Sequence, residues 1–162
     1  MELKISYKKL LFTVNCLLSI VFITGCDSSR EYEENKEIAG GQWEVSNKPS
    51  FEFTIPDSSS VHNVFINIRN ESQYAYSNLF LFITTTYPDG KTSKDTVNCL
   101  LQDPSGKWLG KGIGDLWDNR LLFKPSVRFP KTGKYKIEFE QAMRDNPLPG
   151  IRDVGIRVER VQ

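Results

Sequence analysis

Residues 87–92 read YPDGKT, and the Asp89-Gly90 pair within them stands between two runs that alternate apolar and polar side chains. Asp-Gly in that setting is the strongest short-range signal for a β-hairpin, because glycine accepts the positive φ that the turn requires. The stretch predicts that residues 92–101 fold back antiparallel on residues 79–86.

The two-residue period continues outward in both directions. Phe51, Phe53 and Ile55 alternate with polar neighbours, as do Val64, Ile66 and Ile68, and Leu79, Leu81 and Ile83. Tyr135, Ile137 and Phe139 oppose Lys134, Lys136, Glu138 and Glu140, and Val154, Ile156 and Val158 oppose Asp153, Arg157 and Glu159. Successive side chains of a strand point to opposite faces, so each run reads as a half-buried strand. Turn signals punctuate these runs and no long segment has helical period. The expected class is all-β: an antiparallel β-sandwich, jelly-roll or immunoglobulin-like, over residues 42–162.

The N-terminus belongs to something else. Lys4, Lys8 and Lys9 form a basic head, and an apolar core of 14 residues follows from Leu10 to Ile23. That core is short of the ~20 residues a spanning helix needs and matches a secretory signal. Ile23, Thr24 and Gly25 then stand directly before Cys26, an order that resembles a bacterial lipobox. Residues 1–25 read as a lipoprotein signal peptide, and Cys26 as the first residue of the exported chain, carrying the acyl chains that hold it to a membrane. Residues 26–41 contain DSSREYEENKEIAGG, polar and ending in a glycine pair, and read as a flexible tether.

Charge and cysteine content narrow the class. The chain carries 21 Lys and Arg against 20 Asp and Glu, and losing three lysines and Glu2 with the leader leaves it nearly neutral. Such a domain has no strong net field to draw it to nucleic acid or to anionic lipid, and a basic patch would have to be local. Cys16 leaves with the signal and Cys26 takes lipid, so Cys99 has no intramolecular partner and no disulfide framework is expected.

Candidate chemistry is sparse. The glycines at 106, 110, 112 and 114, within GKWLGKGIGDLWDN, match neither dinucleotide nor P-loop spacing, and the segment reads as a wide loop. A single histidine, His62, removes a two-histidine zinc site and a Ser-His-Asp triad, and itself reads as a strand-edge surface residue. No cofactor or metal is expected. Asp115 with Asp118, or Asp145 with Asp153, are the carboxylate pairs that acid–base hydrolysis would need. Binding is the better reading: Tyr74, Tyr76, Trp108 and Trp117 lie in or beside loops, with Lys111 and Asp115 supplying charge. Gln141, Met143, Arg144 and Asp153 read as a structural group around the loop DNPLPG, with Arg144 and Asp153 paired across it. Asp95-Thr96-Val97 resembles a short acceptor pattern for O-glycosylation of exported proteins.

Three segments add a resemblance. GKWLGKGIGD (106–115), YKIEFEQAMRDNPLPGIRDVGIRVER (135–160) and YAYSNLFLFI (74–83), behind the lipobox, resemble the GldH family of gliding motility lipoproteins. The specific parts are Gln141-x-Met143-Arg144 and the closing Asp153-Val154-Gly155. The resemblance implies an outer-membrane lipoprotein tied to surface gliding and to the type IX secretion apparatus, with envelope-protein partners and no enzymatic reaction. A surface carbohydrate-binding lipoprotein is the alternative reading.

Overall fold

The 87–91 turn closes as the sequence predicts. Tyr87 N–H donates to the Lys91 carbonyl at 2.8 Å, Gly90 N–H to the Tyr87 carbonyl at 2.9 Å, and Gly90 adopts φ 80°. It joins β5 (Asn78–Thr86) to β6 (Thr92–Leu100) in the register Thr86↔Thr92 through Asn78↔Leu100. The computed structural model describes residues 29–161, and the signal peptide and Cys26 lie outside them.

The remaining strands are β1 (Arg30–Glu37), β2 (Gln42–Trp43), β3 (Ser50–Ile55), β4 (Val61–Glu71), β7 (Lys111–Ile113), β8 (Leu116–Arg128), β9 (Gly133–Gln141), β10 (Leu148–Pro149) and β11 (Ile151–Arg160). One sheet has the order β1-β11-β4-β8-β7, the other β3-β9-β5-β6, and β2 with β10 forms a small ribbon. Every pairing is antiparallel. Without β7, the two four-stranded orders are those of a jelly roll, in which β1·β11, β3·β9, β4·β8 and β5·β6 are four ribbons rolled together. That settles the choice against an immunoglobulin-like arrangement.

The alternation read from the sequence becomes the core. Val64, Ile66, Ile68, Val154, Ile156 and Val158 face inward from one sheet, and Phe51, Phe53, Ile55, Leu79, Leu81, Ile83, Tyr135, Ile137 and Phe139 from the other, all buried. Each such side chain contributes roughly 1.5–3 kcal/mol relative to exposure. Cys99 is buried and free, and burial pushes its thiol up to about 12.

Three expectations change. Residues 30–37 are not tether but the strand β1, paired with β11 from Arg30↔Glu159 to Glu37↔Asp153. Tyr32 packs its ring on Phe53 at 5.3 Å and Ile38 is fully buried. Glu33 of β1 sits in an ion-pair network, accepting from Arg157 at 2.6 Å, Arg120 at 3.2 Å and Asn67 at 3.0 Å. His62 is not a surface residue. It is buried on the inner side of β4, its ring edge-on to Phe129 and Nε2 2.8 Å from Glu31. The wide loop of 106–119 is largely a hairpin, β7 against β8, with Gly114 at φ 61° in its turn.

Jelly-roll winding sorts the connections into two poles. Ser29 and the loops 56–60, 87–91 and 129–132 lie at one, here called proximal, because Val61 pairs with Arg128, Ile55 with Gly133 and Thr86 with Thr92. The connections 38–49, 72–77, 101–115 and 142–150 meet at the other, distal pole.

Candidate functional site

The sequence-predicted binding residues converge on the distal pole, carried there by different connections. Trp43, fully buried in the β2–β10 ribbon, donates its indole N–H to the Asn47 carbonyl at 2.8 Å. From the β4–β5 connection, Tyr74 donates its hydroxyl to the Asn78 carbonyl at 2.9 Å and stands edge-on to Tyr76 at 5.7 Å. Tyr74 is 4% exposed, so its ring is core and offers no face to a ligand, against the expectation for it. Burial pushes its phenol above the usual tyrosine range. Tyr76 is half-buried and donates to Asp145 at 2.6 Å, a bond that raises its phenol.

Trp108 lies in the β6–β7 connection and Trp117 near the start of β8. Gln102 bridges Trp108 across a short hairpin whose turn is tied by Asp103, accepting from Ser105 and Lys107 N–H groups at 2.8 and 3.0 Å. Trp108 and Trp117 then stack at 6.2 Å with planes 26° apart. Trp117 lies on Gly112, where a Cβ would come within 2.8 Å of the ring, and its indole N–H donates to Ser72 at 3.0 Å. Glycine at 112 is what lets the ring lie flat. Asp115 is exposed, and its backbone carbonyl accepts from Ser72 N–H at 2.8 Å; Lys111 is exposed at the start of β7.

Gln141 ties the β9–β10 connection: its amide donates to the Asp145 carbonyl at 2.9 Å and to that of Trp43 at 3.4 Å, and its oxygen accepts from Met143 N–H at 2.8 Å. The Met143 sulfur accepts from Phe80 N–H at 3.3 Å. Asp153 does not pair with Arg144. It lies on the outer face of its sheet, 3.3 Å from Arg69, which also holds Asp118 at 2.6 Å, while Arg144 is exposed in the loop. The reason is strand parity, since position 153 points away from the core on the sheet opposite β9.

Of the four carboxylates raised as acid–base pairs, Asp118 and Asp153 are bonded to Arg69 and Asp145 to Tyr76, while Asp115 is exposed. Among the described residues no group of three or more His, Cys, Asp or Glu is placed to hold a metal ion. Thr96 is exposed midway along β6.

The sequence reading missed a row of exposed leucines. Leu100, Leu109 and Leu122 are each more than half exposed and line one shallow groove of about 790 Å³ between β6 and β8, with Asn98, Arg69 and Arg120. Their signal was faint: Leu109 sits between glycine and tryptophan in a polar segment, and Leu121-Leu122-Phe123 breaks alternation.

Comparison with known proteins covers nearly the whole described chain. The family model for GldH lipoprotein matches residues 30–158. A gliding motility lipoprotein GldH homolog from Christiangramia forsetii is 40% identical over 151 residues, 89% of this chain and 92% of its own. Gliding motility lipoprotein GldH from Flavobacterium johnsoniae is 33% identical over 89% of this chain and 93% of its own. Among solved structures, the infectious bursal disease virus VP2 subviral particle aligns at TM-score 0.34 and 14% identity, over 83% of this chain and 31% of that one, too distantly to bear on function.

Proposed function

Because this chain belongs to the GldH lipoprotein family, we propose that it is a lipid-anchored, non-catalytic component of the gliding-motility machinery, held on the outer membrane through acyl chains on Cys26. The observation that carries this reading is the family match from residue 30 to residue 158. Its partners are envelope proteins, including those of the secretion apparatus that serves the gliding surface, and it takes no cofactor.

The distal pole is the surface that meets those partners. It lies at the opposite end of the strands from Ser29, and it gathers Trp108, Trp117, Tyr76, Lys111 and Asp115 beside the exposed Leu109. Aromatic groups around an apolar spot are what protein interfaces enrich, with charged groups at the polar rim. A carbohydrate platform has less support, since the two indoles stack on each other rather than presenting coplanar rings.

Two variants test the reading in the native cell. Cys26→Ser removes the thiol that takes the lipid; the expected result is loss of labelled palmitate and of outer-membrane fractionation, together with loss of spreading. Trp108→Ala is expected to lower recovery of envelope partners with the intact lipoprotein while the domain still melts cooperatively. Normal partner recovery with a lowered Tm would make that indole a packing residue and remove the distal pole from the interface.

A further inference from the structure

We propose that the proximal pole rests on the bilayer itself, with Lys91, Arg128 and Lys131 against lipid phosphates, so that the jelly roll stands upright instead of swinging from a leash. The proposal depends on the reading of Cys26 as the anchor.

The first ground is length. Only three residue steps separate Cys26 from Ser29, and covalent geometry limits them to about 10 Å in any conformation. From Ser29 onward the chain is fixed to the sheet: its carbonyl accepts from Arg160 N–H at 2.8 Å, and Arg30 is already in register with Glu159. Across the sheet from β1 to β8 there are three strand intervals of about 4.8 Å, only one strand width more than the reach of those three steps. An anchor inserted in lipid therefore brings the whole pole within reach of the headgroups.

The second ground is the chemistry of that pole. Its loops are fastened together, with Lys131 bonded to Asp89 at 2.7 Å and Pro88 packed where a Cβ on Gly133 would stand 3.0 Å away. Exposed cations ring them: Arg30, Lys91, Arg128, Lys131 and Arg160. The acids of this pole are held by local partners, Asp89 by Lys131 among them. Asp57 accepts from Ser59 N–H and the Ser59 and Ser60 hydroxyls, which holds its carboxyl down at about 2, and Glu31 is shared between Arg160 and His62. Among the described residues Lys91 and Arg128 have no carboxylate within 4.0 Å, the Lys91 charge acting on Asp89 from farther off, and a phosphate would give each a close partner. Trp43, Trp108 and Trp117 are all at the far pole, so the contact is ionic at the headgroup level and not an aromatic insertion.

The test uses the full acylated chain in vesicles of phosphatidylethanolamine with phosphatidylglycerol. Spin labels go on Thr132→Cys at the proximal pole and Lys107→Cys at the distal pole, Cys26 being blocked by lipid and Cys99 buried. The expected result is strong relaxation of the Thr132 label by a headgroup-bound paramagnet and none at Lys107. A Gly/Ser spacer inserted between Asp27 and Ser28 should leave the Thr132 contact in place. The triple variant Lys91→Glu, Arg128→Glu, Lys131→Glu, carrying the same spacer, should release it, as should high salt. Equal relaxation at the two labels, loss of contact on adding the spacer alone, or contact that survives charge reversal would each overturn the proposal. Failure of the acylated chain to float with the vesicles would instead overturn the Cys26 reading and the proposal with it.

Discussion

A single methyl group added at Gly155 would reveal how closely the first strand is held. A Cβ there would stand 2.0 Å from Asn35 Oδ1 and 2.5 Å from the Glu34 carbonyl oxygen, and the second is backbone that cannot swing aside. Gly155→Ala should therefore lower stability by about 1–3 kcal/mol, read from the urea midpoint, because β1 must lift from β11 to admit it. This gives the glycine of Asp153-Val154-Gly155 a physical reason to be glycine. Glu33 offers a second residue-scale test. Burial works to raise its carboxyl, but hydrogen bonds from Arg157 and Asn67 and the charges of Arg157 and Arg120 outweigh it and hold the group below its usual range. A carboxyl depressed in the folded state contributes stability that is full above its unfolded value, near 4.3, and is lost as pH falls through the folded one. Glu33→Gln should flatten the acid limb of the stability–pH profile. At neutral pH it should cost roughly 2 kcal/mol, below the 3–5 of a wholly orphaned buried charge because Glu159 still pairs with Arg157.

At the scale of the element, β1 separates what the sequence disclosed from what it hid. Ile38 was assigned to a tether, where truncation would cost nothing; as a fully buried residue, Ile38→Ala should lower stability by about 2–5 kcal/mol, measured by thermal or urea unfolding. Hydrogen exchange gives an independent reading, since amides of residues 32–37 that bond to β11 should be among the protected set. The strands β3, β4, β5, β9 and β11 were legible because one face of each is apolar and the other polar. β1 was not, because it is rich in charged residues, most of them solvent-facing, and only Glu33 turns to the buried Arg157, which composition alone cannot reveal. β8 was missed for the opposite reason. Its Leu121 packs against the core while Leu122 beside it is exposed, so its apolar residues do not alternate.

For the whole molecule, pairing order is the part that periodicity could not supply. The sequence offered a sandwich of either jelly-roll or immunoglobulin-like type, and only the long-range ladders β1·β11 and β3·β9 separate them. The candidate site was half legible on the same grounds: Trp108, Trp117 and Tyr76 were picked out as loop aromatics, but their convergence depends on winding. The Arg144–Asp153 pair failed because sequence distance around a loop says nothing about which face of which sheet a carboxylate occupies. The winding also makes strength depend on the direction of pull. A load passing from lipid at Ser29 to a partner at the distal pole runs along β1, so its ladder to β11 is strained in shear and many bonds must yield together. A load between residue 29 and Val161, neighbours at the proximal pole, peels the same ladder open one bond at a time. Single-molecule pulling with handles at residues 29 and 107 should thus show a higher rupture force than with handles at 29 and 161. Equal forces would mean that β1 is not what bears the load. A domain built this way transmits tension best along the axis on which its anchor and its partner surface lie.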